Sequence, residues 1–75
     1  MSERPTKERA YTLLVSATPA LYRSWREAPD EPSKELNRLL YDAVVGWCTD
    51  YEVEAGIGDR GLAHRLARSL AKVAR

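Results

Sequence analysis

Cysteine and histidine occur once each, as Cys48 and His64, and that scarcity removes whole classes of chemistry. One cysteine forms no intrachain disulfide and no thiolate cluster for a metal. One histidine cannot assemble a multi-histidine site within a chain. Long apolar runs are also missing. The first, Leu13-Leu14-Val15, follows a charged start and is far too short for a signal-peptide core or a membrane span. Nor is there a surplus of one charge, since the formal net charge is +1. These absences point to a soluble cytoplasmic chain with no metal and no cofactor.

What is present reads as one small globular domain. Seventy-five residues, 44% hydrophobic and 31% charged, are too apolar for a disordered chain. They are also too few for more than one core. The domain is expected to span residues 1–75, with residues 1–5 flexible. No internal repeat is found, and the four prolines and four glycines act as punctuation.

The expected fold is all-α, a bundle of three to four helices over about 6–17, 19–28, 32–54 and 59–74. Thr6 is placed to cap the first. Pro19 interrupts it, so Thr18 is expected to cap a short second helix in which Leu21 and Trp25 face inward. A kinked continuous helix is the alternative. The segment APDEPSKEL is a loop with a helix start, Pro32 lying in the first turn. Beyond it Leu36, Leu39, Leu40, Ala43, Val44, Trp47, Cys48 and Tyr51 recur at helical spacing. Asn37, Arg38, Asp42, Asp50 and Glu52 fill the opposite face. The leucine-rich stripe is the expected core side of this central helix.

Between the central and last helices lies GIGDRG, residues 56–61, which matches G-x-G-x-x-G letter for letter. A dinucleotide site needs a strand before that turn, and an acidic residue about 20 positions on from a second strand. The preceding segment here is an acidic helix end, and only fourteen residues follow Gly61. The segment is therefore expected to be a helix C-cap at Gly56, a turn, and an N-cap at Asp59.

The last segment, GLAHRLARSLAKVAR, carries two stripes. Leu62, Leu66, Leu70 and Val73 are expected to pack on the central helix. Arg65, Arg68, Lys72 and Arg75 lie on nearly the opposite side, at about 100° per residue. Charge is segregated along the chain: residues 30–57 hold two basic and seven acidic residues, and residues 58–75 hold five basic and one acidic. A charged face of this kind is as readily a solvated surface as a binding one.

No catalytic constellation emerges. His64 sits among arginines, which disfavour the imidazolium, and reads as a surface or boundary residue. Cys48 reads as a buried small hydrophobe. Asp50, Glu52 and Glu54 alternate and so diverge on a helix, unlike the convergent oxygens of a calcium loop. Two binding functions remain. A regulator of a larger protein would use Arg23, Trp25, Arg26, Arg60, Arg65, Arg68, Lys72 and Arg75, because arginine and tryptophan often carry interface energy. A helix-turn-helix reading instead sends the basic last helix to DNA or RNA.

The run ATPALYRSWREAPDEPSKELNRLLYDAVVGW, after its charged start, resembles the small helical transcription regulators that some phages of plant-pathogenic xanthomonads encode. The likeness covers about residues 5–50 and carries no defining motif. It implies binding to host bacterial RNA polymerase, on the largest subunits near the RNA exit region. There such proteins block promoter-recognition factors or make the enzyme ignore terminators. A basic helix beside exiting RNA would suit that role.

Overall fold

The computed structural model describes residues 6–73, apart from the side chains of Ala71 and Val73. Residues 1–5 and the candidate contact residue Arg75 lie outside the described residues. Within them the chain is all-α: α1 (Lys7–Arg26), α2 (Glu31–Glu54), one turn of 3-10 helix (Gly58–Arg60) and α3 (Leu62–Val73).

Helix α1 starts where Thr6, in extended backbone, accepts a hydrogen bond from the Arg9 amide at 3.1 Å. It then runs through Pro19 without a break, so the kinked or continuous alternative holds and the separate 19–28 helix does not form. Proline lacks the N–H that would bond the carbonyl four residues back, at Val15. The Thr18 hydroxyl donates to that carbonyl at 2.6 Å instead. Thr18 is buried, and it compensates the proline locally rather than capping a new helix.

Asp30 caps α2 by accepting from the Ser33 amide at 2.8 Å, with Pro32 in the first turn. The helix ends in a paired motif: Ile57 N–H donates to Glu52 C=O and Gly56 N–H to Val53 C=O. Gly56 takes φ +79°, the left-handed value this ending needs, as the C-cap expectation requires. The asparagine-free turn then places Gly58–Arg60 and delivers Gly61 to the start of α3.

Helices α1 and α2 are antiparallel. Lys7 meets Glu54 at one end, and Asn37 donates to the Ser24 carbonyl at the other. Stacked Tyr11 and Tyr51, 4.6 Å apart, clamp the first end. Tyr22, Trp25 and Tyr41 form an aromatic triangle with centroids 5.5–5.8 Å apart near the second. Helix α3 closes the core by laying Leu66, Ala67 and Leu70 on Trp25, Tyr41 and Val45. The Cα envelope is only 14 Å through its thinnest direction, room for no more than two helix layers at spacings of about 8–10 Å.

The central helix is rotated relative to the expected register. Tyr41, Val45, Cys48 and Glu52 face the core, while Leu36, Leu39, Leu40, Ala43 and Trp47 are exposed. Of the expected stripe Cys48 is buried and Val44 and Tyr51 are half-buried, and Tyr41 and Val45 complete the buried side because α1 and α3 supply aromatic and leucine partners there. The last helix shifts less. Ala63, Leu66, Ala67 and Leu70 meet the core, and Leu62 turns outward.

Candidate functional site

Three features outside ordinary core packing are candidates: a buried carboxylate, a basic ridge and an exposed apolar face. The carboxylate is Glu52, which has no solvent exposure. Tyr11 donates its hydroxyl to Oε2 at 2.5 Å. The Ala63 amide donates to the same oxygen at 2.9 Å, and the His64 amide to Oε1 at 3.0 Å. His64 Nδ1 lies 2.6 Å from Oε1, placed to donate as well. Burial pulls the Glu52 pKa up, but the bonds from Tyr11, His64 and the two amides outweigh it and hold the carboxyl below its ordinary range. Tyr11 is driven the other way, to about 12, by burial and by the carboxylate beside it.

This constellation is an N-cap supplied from another helix. The first turn of α3 presents free amides and the positive end of its dipole, and Glu52 fills both. The Asp59 N-cap expectation is therefore corrected: Asp59 is exposed, and Glu52 does the capping. Assigning Glu52 to the wet face is corrected too. The nucleotide-like GIGDRG segment has the same explanation. Gly61 is glycine because a Cβ there would overlap the Glu52 carboxylate. An anion site at this helix start is already occupied by the protein's own carboxylate. A cue was available: Glu52 sits on the same helix side as Tyr41, Val45 and Cys48, just before a turn and a new helix.

A Tyr–Glu–His grouping invites a catalytic reading, but Glu52 is fully buried and both of its oxygens are bonded within the fold. The apolar cavity of about 290 Å³ is lined instead by Thr18, Pro19, Tyr22, Trp25, Tyr41 and the α3 residues Leu66, Ser69 and Leu70. Cys48 is buried beside Glu52, and burial together with that negative charge pushes its thiol pKa up, away from a reactive thiolate. Among the described residues, no three His, Cys, Asp or Glu side chains gather to hold a metal ion.

The basic ridge stands on α3. Arg65, Arg68 and Lys72 are exposed, with Arg60 exposed on the preceding turn. Arg68 also donates to the Asp59 carbonyl at 3.3 Å. Arg23 and Arg26 are exposed on the last turn of α1, and Arg23 lies 3.9 Å from Glu27. Trp25, between them, is corrected from contact residue to core: it is 7% exposed and belongs to the aromatic triangle.

The apolar face belongs to α2 and was hidden by the inverted register. Leu36 is 68% exposed, Leu39 54%, Leu40 49% and Trp47 39%, with Ala43 exposed among them. On a helical wheel they fall within about 100°, nearly opposite the buried side. Together they expose on the order of 400 Å² of mostly apolar surface, the size of the largest patches on monomers and often functional. Trp47 is held flat by stacking on Tyr51, which stacks in turn on Tyr11.

No helix of the described residues is long and apolar enough to cross a membrane. Comparisons with protein-family models, curated proteins and solved structures returned no match.

Proposed function

We propose that this chain is a non-catalytic regulator that acts by binding a larger protein, host bacterial RNA polymerase, to alter transcription initiation or termination. The observation that carries the binding claim is the solvent face of α2, where three leucines and a stacked tryptophan lie in one stripe. Large apolar residues gathered on a thin molecule are what a protein interface uses, with tryptophan a frequent anchor. The polymerase as partner rests on the resemblance of residues 5–50 to phage regulators.

Direct nucleic-acid binding is the second reading, favoured by the exposed Arg65, Arg68 and Lys72. A groove-reading helix-turn-helix presents the N-terminal residues of its second helix to the bases. Here Ala63 is buried in that turn and the helix start faces Glu52, so the ridge suits phosphate contact better than base readout. Affinity capture of the tagged protein from nuclease-treated bacterial lysate separates the readings. Polymerase subunits should be recovered, and their retention should fall only modestly as salt rises. Nucleic acid co-purifying from untreated lysate, with no protein enriched and a steep loss in salt, would put the second reading first.

A further inference from the structure

The apolar face of α2 has a charged border, and the exposed charges that α2 itself contributes to it are acidic. Exposed Glu35 and Asp42 run along one flank of the leucine stripe, and Asp50 and Glu54 continue its C-terminal end. The basic residues of α2, Lys34 and Arg38, fall toward the opposite, buried side of the helix, and both are half-buried. Lys7 reaches the C-terminal end and is held there by Glu54 at 3.1 Å. Helix α1 covers the other flank, where Asn37 bonds Ser24 and Tyr51 stacks on Tyr11. From Leu36 to Trp47 the stripe rises roughly 17 Å, three turns at about 1.5 Å per residue.

We infer that this face takes the apolar side of a basic amphipathic helix belonging to the partner protein, its leucine-type residues on Leu36, Leu40 and Trp47 and its lysines or arginines along the acidic flank. The inference deepens the proposed function and rests on it. Apolar contact supplies the driving force, and the carboxylate row selects the partner by charge. A second copy of this chain fits less well. Pairing two α2 faces would bring two acidic rows together, and residues 30–57 already carry seven acidic against two basic residues. A small residue at Ala43, beside Gly46 with open space around it, gives the incoming helix a place for close approach.

The test uses two dye-labelled synthetic helices of about 14 residues, four turns, sharing one leucine face. One carries lysines on its flanks and the other glutamates. Anisotropy should show the lysine helix binding the full chain at least about tenfold tighter than the glutamate helix. The Trp47 indole N–H resonance should move while that of buried Trp25 stays. Leu40→Glu should abolish the binding with the helical circular dichroism unchanged. The charge-reversed variant Asp42→Lys/Asp50→Lys should reverse the preference and keep the leucine requirement. Equal binding of both peptides, binding retained by Leu40→Glu, or a preference untouched by charge reversal would overturn the inference. So would a concentration-dependent dimer in sedimentation that Leu40→Glu dissolves, because a second copy would then cover the face. A polymerase captured equally by wild type and Leu40→Glu sinks this inference and leaves the proposed function standing. Charge-selective peptide binding with no polymerase captured does the reverse.

Discussion

Glu52 ties all three helices together: it grows from α2, accepts from Tyr11 of α1 and caps α3. Its depressed pKa sets the sign of an acid effect. A carboxylate favoured in the folded state adds stability above its unfolded value, near 4.5, and that stability is lost as pH falls through the lower folded value. Urea melts should therefore weaken below about pH 4.5, and Glu52→Gln should flatten that dependence while costing about 2 kcal/mol at neutral pH. Tyr11 sets an alkaline counterpart. Its phenol stays protonated in the fold up to about 12, so stability declines as pH climbs from 10 toward that value. Tyr11→Phe should lessen that decline and leave the share of Tyr41 and Cys48, whose ionisation burial also disfavours.

Two other single residues have sharp roles. Gly61→Ala drives a methyl into the Glu52 carboxylate and should cost about 2 kcal/mol or more, although its φ of −72° suits any residue. Thr18→Val leaves the Val15 carbonyl unbonded and should cost about 1–2 kcal/mol. In a Pro19→Ala background, where the backbone N–H returns, the same change should be nearly silent. A double-mutant cycle reads the difference directly. Equal costs in both backgrounds would mean that Thr18 acts by packing alone.

At the scale of elements some helix ends were legible, while the caps expected at Thr18 and Asp59 and the buried side of α2 were not. Thr6, the loop before Pro32 and the Gly56 ending are local signals, fixed by backbone chemistry within a few residues. The rotation of α2 depends on what covers it. Its sequence offers apolar residues on two sides, and the side with more leucines is not the one the neighbours bury. Glu52 on the buried side made the misreading natural, since a lone carboxylate looks like a mark of solvent. Donors distant in sequence explain its burial: the Tyr11 hydroxyl, and the free amides of α3 eleven and twelve residues downstream with the His64 ring. The two registers differ measurably. If Leu40 were core, Leu40→Ala would cost about 2–5 kcal/mol. On the exposed face it should stay within about 0.5 kcal/mol, read from urea midpoints.

The whole molecule is an antiparallel helix pair with α3 laid across one side of α2, leaving the other side open. An all-α single core followed from length and composition, because a chain this short with helical periodicity has few other ways to bury its apolar residues. Charge segregation was legible as well, but its meaning changed in three dimensions. The acidic segment borders an apolar face, and the basic segment forms a separate ridge on α3. The binding claim thus divides between two surfaces that single variants can address.

Capture from nuclease-treated lysate, run side by side with wild type, Leu40→Glu and Arg65→Glu/Arg68→Glu/Lys72→Glu, tests that division most directly. All three proteins should keep the same helical signal. The account predicts that polymerase subunits are lost with Leu40→Glu and retained with the triple charge reversal. Retention by Leu40→Glu together with loss in the triple variant would contradict it and assign the interface to the α3 ridge.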